Sequence, residues 1–167
     1  MKPQIQTPIL SREQLEDRLE ALHQASLELV RNVSLDSLLE NIATLACEQV
    51  EARYAAVGVL DSSGKLEKFI PVGMTAEELA DMEHPPVGLG LIGHLMRYAE
   101  TIRIPDISED PRRAGFPDRH PEMHSLLGVP IRQGGQSLGQ IYLTEKSGGR
   151  EFTSKDQRMI ETLAPYA

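Results

Sequence analysis

At 167 residues the chain is long enough for one domain with a substantial core, and its 40% hydrophobic and 25% charged residues are ordinary for a globular protein. The net charge of −8, without any block of Lys and Arg, argues against nucleic acid as a direct partner, because neutralising phosphates supplies most of such affinity. No apolar run approaches the roughly 18 residues of a membrane-spanning helix, and no signal-peptide pattern is present. We therefore expect a cytoplasmic protein with no membrane partner.

Residues 1–10 contain two prolines and no periodicity, which predicts a flexible N-terminal arm before a single domain at residues 11–167. A capping box, Ser11-x-x-Gln14, opens a helix predicted to run to about residue 32. This helix carries a seam with alternating four- and three-residue steps, which is typical of a coiled coil. The seam either packs on its own domain or forms a homodimer interface. Its members are Leu15, Leu19, Leu22, Ser26, Leu29 and Val33.

The pattern of apolar residues and turns predicts an α+β fold with a central antiparallel sheet. The last helix begins with Thr153-x-x-Asp156, a threonine cap followed by an acidic residue, and is predicted to continue to Ala167 and to be truncated there. The predicted elements are a helix at 34–50, a hairpin of strands 53–61 and 65–72, helices at 75–82 and 91–99, a strand at 101–104, a loop at 105–123, and a second hairpin of strands 126–132 and 136–145 turned by Gly134-Gly135.

Two features of the chain argue against dinucleotide binding and against chemistry at a cysteine. The spacing Gly88-x-Gly90-x-x-Gly93 matches a dinucleotide-binding fingerprint, but a proline-rich segment precedes it where that motif needs a strand. Cys47, the only cysteine, falls in an apolar helical pattern and is expected in the core. Thiol catalysis and a linked bilin are therefore not expected, and no hydrolase, metalloprotease, P-loop or kinase signature is present. We expect no enzyme activity.

The segment from residue 115 to residue 130 contains a histidine between two prolines and is the most informative part of the sequence. It reads Gly115-Phe-Pro-Asp-Arg-His-Pro-Glu-Met-His-Ser-Leu-Leu-Gly-Val-Pro130. His120 lies between prolines in a loop that cannot be helical, which holds its imidazole as a metal or cofactor ligand requires. His124 follows at the spacing of a two-histidine zinc face, but that face needs a helix and is disfavoured here. In the next strand, Tyr142 shares one face with Gln140 and Thr144, while Ile141 and Leu143 point the other way.

These two segments resemble the haem-binding GAF domains of bacterial oxygen- and redox-sensing histidine kinases, the DosS/DosT (DevS) group. The resemblance implies a central antiparallel sheet with an N-terminal helix pair and a C-terminal helix on one face, and a ligand pocket on the other. It implies that His120 is the proximal ligand of the iron of a non-covalent b-type haem, and that Tyr142 lines the distal side. The other expected pocket residues are Gly58, Leu91, Leu95, Met123 and Leu126.

The chain departs from that group at a few positions. Asp118 and Glu122 replace prolines and place two carboxylates beside the candidate ligand, where they can bond its second nitrogen or loosen the loop. Leu126 replaces a phenylalanine, which changes the packing near the pocket. Gly58 stands where one branch of the group has a glutamate, and this resembles the oxygen-sensing branch.

We expect the sensory input domain of a signal-transduction protein, with a histidine kinase as its output domain in a two-component system. A diatomic gas (O2, NO or CO) or a change of redox state is the expected signal, and a homodimer through the N- and C-terminal helices is the expected assembly. The alternative is a haem-free GAF domain that serves as a dimerisation module or binds another small ligand. An enzyme of unrecognised chemistry is the third hypothesis.

Overall fold

A computed structural model describes residues 34–82, 86, 88–116 and 120–167, together with residues 12, 19 and 20. Residues 36–167 form one compact unit. The predicted arm at 1–10 and the predicted first helix with its apolar seam therefore lie outside the described residues, apart from residues 12, 19 and 20. Among the described helices, none is long and apolar enough to cross a membrane.

The described elements follow the predicted order with small changes at their ends. Single 3-10 turns occupy Ile107–Glu109, Ser147–Gly149 and Ala164–Tyr166. The helices are α1 (Leu35–Gln49), α2 (Ala76–Asp81), α3 (Gly90–Tyr98) and α4 (Ser154–Leu163), and the strands are β1 (Ala52–Leu60), β2 (Leu66–Val72), β3 (Ile102–Ile104), β4 (Leu126–Gln133) and β5 (Gln136–Lys146).

The last helix differs most from its prediction. The capping box is present, since the Thr153 hydroxyl accepts from the Asp156 backbone N–H and the Asp156 carboxylate accepts from the Thr153 N–H. However, α4 ends at Leu163 and passes into a 3-10 turn, so the prediction of an α-helix to Ala167 is wrong. Pro165 explains the change, because proline has no N–H to continue the helical hydrogen bonds.

The five strands form one antiparallel sheet in the order β2-β1-β5-β4-β3. Strand β5 is central, and its residue Tyr142 lies opposite Ala56 of β1 and Gly128 of β4. The β4–β5 turn is made by Gly134 and Gly135 at φ of 57° and 83°, a conformation that glycine adopts without steric cost.

One face of the sheet carries the larger core. Ile141 and Leu143 of β5 are fully buried and pack with residues of α1 and α4, including Ile42 and Ile160. Cys47 is buried in this core, as predicted, and its Sγ lies 3.1 Å from the carbonyl oxygen of Ala52, to which it donates. The helices therefore cover the odd-numbered side of β5, as its alternation predicts.

The other face carries a smaller apolar cluster around Tyr142. Leu126 of β4, Leu91 and Leu95 of α3, and Ile107 of the following loop belong to it. A cavity lies on this side. The expected α+β fold, with helices on one face of an antiparallel sheet and a pocket on the other, is confirmed.

Lys146, at the end of β5, connects three elements of the larger core. Its side chain is 7% exposed, and Nζ donates to the carbonyl oxygen of Val50 at 2.9 Å and to Asp156 Oδ2 at 3.0 Å. Val50 follows α1 and Asp156 lies in the first turn of α4. One buried ammonium group thus joins the sheet to both helices.

Candidate functional site

The cavity has a volume of about 350 Å³ and lies between the sheet, α3 and the loop before β4. Its walls are mostly apolar, and polar groups enter it from few residues. The sheet contributes Tyr54, Ala55, Ala56, Phe69, Pro71, Leu126, Tyr142 and Thr144; the segments around α2 and α3 contribute Met74, Met82, Pro86, Leu89, Gly90, Leu91 and Ile92; the loop contributes Ile107, Arg113, Ala114, Gly115, Phe116, His120 and Met123.

The glycine-rich segment at the start of α3 forms part of the cavity wall. Gly90 has φ of 59°, and a Cβ atom there would lie 2.7 Å from the backbone nitrogen of Ala114. A Cβ atom at Gly93 would lie 1.9 Å from the carbonyl oxygen of Gly88. These glycines therefore allow two backbone segments to approach closely. The described element before them is α2, where a dinucleotide fingerprint would need a strand.

His120 lies at the cavity in an extended part of the loop. Its Nδ1 lies 2.8 Å from the carbonyl oxygen of Pro121, and its ring stacks on Phe116 with centroids 4.7 Å apart and planes 17° from parallel. A carbonyl oxygen only accepts hydrogen bonds, so this contact assigns the proton of the neutral ring to Nδ1. The lone pair is then on Nε2, which has no hydrogen-bond partner among the described residues.

Of the two acidic replacements, the structure describes only Glu122, which does not bond this ring. Glu122 is exposed and is absent from the cavity wall, and the acceptor for Nδ1 is the Pro121 carbonyl oxygen. The expected bond between the Glu122 carboxylate and the His120 imidazole is therefore not formed. Asp118 lies outside the described residues.

His124 does not join His120 in a two-histidine site. Residues 120–125 are not helical, so the i, i+4 spacing does not bring the two rings to one face. The Nδ1 atom of His124 lies 3.3 Å from Glu145 Oε1, and His124 does not line the cavity. Within the described ranges, no three His, Cys, Asp or Glu side chains form a metal-binding group.

Tyr142 lies in the cavity wall, but its hydroxyl group is already engaged. Tyr142 Oη donates to Gln140 Oε1 at 2.9 Å, and both side chains are buried. Burial raises the pKa of the Tyr142 phenol, so the hydroxyl stays protonated at physiological pH. The sequence places Gln140 on the same face as Tyr142 but does not predict it as a site residue. A glutamine in the middle of a buried strand was the available signal.

The remaining candidates fall into two groups. Leu91, Met123 and Leu126 line the cavity together with His120 and Tyr142, whereas Gly58 and Leu95 do not. Met123 is held by Thr144, whose Oγ1 donates to the sulfur at 3.2 Å.

Gly58 and Leu95 lie behind the wall. A Cβ atom at Gly58 would lie 3.2 Å from Tyr142 Cε2, so the absence of a side chain there makes room for the phenol ring. Leu95 is fully buried where α3 crosses Gly128, and a Cβ atom at Gly128 would lie only 2.3 Å from its Cδ1. Both residues support the wall without forming its surface.

Several wall residues are absent from the prediction. Phe69, Met74, Met82 and Phe116 come from separate segments, and no local pattern marks them as neighbours. Among the residues that the structure describes, Arg113 and His120 are the basic residues of the wall. Together they make an apolar cavity with a cation at its solvent-exposed loop.

Cys47 lies on the other side of the sheet from this cavity, in the core with α1 and α4. Burial, with a smaller contribution from Glu48, raises the pKa of its thiol to about 11. The thiolate is the nucleophile in thiol chemistry, and at neutral pH almost none is formed here. The cavity therefore has no thiol.

Comparisons with known proteins place this fold in context. A family model described as GAF domain matches residues 32–167. The dual 3',5'-cyclic-AMP and -GMP phosphodiesterase 11A of Takifugu rubripes is 29% identical over 156 residues, which are 84% of this chain and 17% of that protein. The chain thus spans less than a fifth of the length of the curated relatives it matches.

Two solved structures show the same fold at low identity. The GAF domain of a phosphoenolpyruvate-protein phosphotransferase from Coxiella burnetii aligns with a TM-score of 0.68 and 23% identity. The alignment covers 89% of this chain and 88% of the chain of that domain. The type II free methionine-R-sulfoxide reductase from Thermoplasma acidophilum has a TM-score of 0.61 and 22% identity, with coverages of 77% and 85%.

Proposed function

The chain belongs to the GAF domain family, and we propose that it is a cytoplasmic sensory input module that holds a b-type haem through His120. GAF domains are sensory and regulatory modules of signalling proteins. The proposed signal is a diatomic gas or a redox change, and the proposed output is a histidine kinase. A homodimer through the terminal helices is part of the same proposal.

The geometry of His120 is the observation that supports haem. An axial histidine needs a neutral ring with a free nitrogen, and its other nitrogen is normally held by a carbonyl or carboxylate. The Pro121 carbonyl oxygen accepts from Nδ1, and stacking on Phe116 limits the rotation of the ring. One axial histidine is enough to hold the haem iron from this side of the cavity, so a second histidine at the wall is not required.

The rest of the wall also suits a flat apolar group with acidic substituents. Leu91, Met123, Leu126 and Phe116 provide apolar surface, and Arg113 provides a cation for a carboxylate at the loop. The cavity of about 350 Å³ is near the lower end of the roughly 300–1,000 Å³ typical of ligand pockets. A ring as large as haem therefore requires the loop that carries Phe116 and His120 to move outward.

When bound, haem supplies an iron centre that takes up a diatomic gas or changes its oxidation state. The chain's own contribution is to hold the ring nitrogen of His120, to exclude water with apolar residues, and to offer the Tyr142 hydroxyl on strand β5. Because β5 ends at Lys146, which bonds Val50 just after α1 and Asp156 in α4, a shift of the strand would reach α1 and α4.

The second candidate function is a haem-free GAF domain that binds another small ligand in this cavity or acts as a dimerisation module. The hydrogen bond from Tyr142 to Gln140 favours it, because the phenol is satisfied without a ligand. A nucleotide ligand is less suited to this wall, since Arg113 is the sole arginine or lysine among its described members.

Haemin titration followed by absorption spectroscopy tests the proposal, with His120→Ala as the variant and His124→Ala as its matched control. His124 lies in the same loop with its side chain 59% exposed and outside the cavity wall. We expect a Soret band that shifts on reduction and on addition of CO, is lost in His120→Ala and persists in His124→Ala. A wild-type protein that gains no Soret band would favour the haem-free module, and a band that survives in His120→Ala would contradict His120 as the ligand.

A further inference from the structure

A buried polar pair interrupts the apolar cavity face of β5. Tyr142 is 5% exposed and Gln140 is 0% exposed, and the Tyr142 hydroxyl donates to Gln140 Oε1 at 2.9 Å. The amide nitrogen of Gln140 has no hydrogen-bond partner among the described residues. A buried amide with one satisfied and one unsatisfied atom is uncommon, because buried polar groups are usually paired.

Gly58, on the neighbouring strand β1, leaves space for this pair. Gln140 lies opposite Gly58 in the β1–β5 ladder. A Cβ atom at Gly58 would lie 3.2 Å from Tyr142 Cε2, 3.5 Å from Gln140 Oε1 and 2.9 Å from Leu66 Cδ1. A side chain at position 58 would therefore displace the ring or the amide. The glycine allows the phenol to lie along the strand and to reach the amide two residues away.

The direction of this hydrogen bond decides whether the Tyr142 hydroxyl offers the cavity a donor or an acceptor. A phenol has one proton to donate, and here that proton is directed to Gln140. The oxygen lone pairs remain, so the phenol can accept from a ligand but has no proton free for one.

We propose that Gln140 sets the hydrogen-bond polarity of Tyr142 and is thereby a specificity-determining residue of the cavity. A half-turn of the amide exchanges its oxygen and nitrogen, so that the amide N–H donates to Tyr142 Oη and the phenol proton is released toward the cavity. In either orientation one amide atom stays unpaired, so the two states differ little in the number of hydrogen bonds made. A ligand that presents an acceptor selects the second orientation, and a ligand that presents a donor selects the first.

This inference rests on the cavity being a ligand site, as proposed above, but its first test needs no ligand. The tyrosine doublet in the Raman spectrum distinguishes a phenol that donates strongly from one that accepts or is free. Subtracting the spectrum of Tyr142→Phe from that of the wild type isolates the signal of Tyr142. We expect a strong-donor signature in the ligand-free wild type.

Two substitutions at position 140 separate polarity from packing. Gln140→Glu keeps an acceptor oxygen and is expected to keep the donor signature, whereas Gln140→Met keeps the length of the side chain, has no amide, and is expected to lose it. An unchanged Tyr142 signal in Gln140→Met would overturn the inference. If that variant does not fold, a non-donating signature in the wild type or in Gln140→Glu would overturn it equally.

The second test uses CO on the reduced, haemin-loaded protein. The C–O stretching band moves to lower frequency when a donor approaches, and CO presents an acceptor, so we expect the amide of the wild type to turn and its band to lie below that of Tyr142→Phe. Identical bands in wild type and Tyr142→Phe would contradict the inference. A protein that takes up no haemin would refute the haem part of the proposed function, while the ligand-free Raman comparison would still decide the role of Gln140.

Discussion

Replacing Lys146 with methionine tests how the sheet is attached to its two helices. The change deletes the ammonium group that bonds the Val50 carbonyl oxygen at 2.9 Å and Asp156 Oδ2 at 3.0 Å, while a side chain of similar length still fills the space. Removing one partner of a buried ion pair costs about 3–5 kcal/mol, because the other charge is left buried. Asp156 is 12% exposed and keeps two hydrogen bonds from Thr153, so we expect a smaller loss, about 2–3 kcal/mol.

The effect of pH on this loss follows from Asp156. Burial raises the pKa of this carboxyl group, but the hydrogen bonds from the Thr153 backbone and from Lys146 outweigh it and lower the pKa overall. A carboxylate with a lowered pKa in the folded state stabilises the fold above its unfolded pKa of about 3.9, and this stability is lost as the pH falls through the folded-state pKa. The deficit of Lys146→Met is therefore expected to be full at pH 7 and to shrink below about pH 4.

Urea unfolding followed by circular dichroism, at pH 7 and at several acidic values, measures this deficit. Lys155→Met is the matched control, because Lys155 carries the same charge and lies next to Asp156 in α4 but is exposed, and we expect it to change stability by less than about 0.5 kcal/mol. A Lys146→Met protein that is as stable as the control at pH 7, or whose deficit does not change on acidification, would refute this account of the buried ion pair.

Three further outcomes follow from the core and the cavity wall. Cys47 should resist iodoacetamide in the folded protein at pH 8 and react once urea unfolds it, because burial raises the pKa of its thiol to about 11. Rapid alkylation of the native protein, measured by mass spectrometry, would contradict its burial. Gly128→Ala should lower stability by about 1–3 kcal/mol in urea unfolding, because its Cβ would lie 2.3 Å from the fully buried Leu95; an unchanged midpoint would show that α3 shifts freely. Gly58→Ala should displace Tyr142 and weaken its donor signature in the Raman spectrum, and an unaltered signature would show that the ring does not need this space.

The fold of the described residues could be predicted because its signals are local. The cap at Thr153 and Asp156 marks the start of α4, and the Gly134-Gly135 turn marks a hairpin whose register follows from alternation. Alternation also assigned Ile141 and Leu143 to one face and Tyr142 to the other. Each of these signals lies within a few residues of the structure it specifies, so no knowledge of distant contacts was needed.

The candidate site could be predicted only in part, because it depends on distances between separate segments. Proline positions indicated that His120 lies on an extended loop, but they could not indicate that the Pro121 carbonyl oxygen accepts from its ring. Alternation placed Gln140 on the same face as Tyr142, yet the direction of the phenol depends on the space left at Gly58 in another strand. The hydrogen bond from Lys146 to Val50 joins residues 96 positions apart, and no local pattern specifies it.

The placement of β5 limits how a message could travel across this domain. Between residues 140 and 144, its even-numbered residues lie on the cavity side and its odd-numbered residues on the helix side, whereas Lys146, which follows Glu145 at φ of 58°, reaches the helix side. Sliding the strand by one residue would exchange the two sets and bury Gln140 among the helices. Such a slip would also withdraw Lys146 from both of its partners. A signal that crosses the sheet with this register kept would therefore move β5 together with β1 and β4, with which it shares its two ladders.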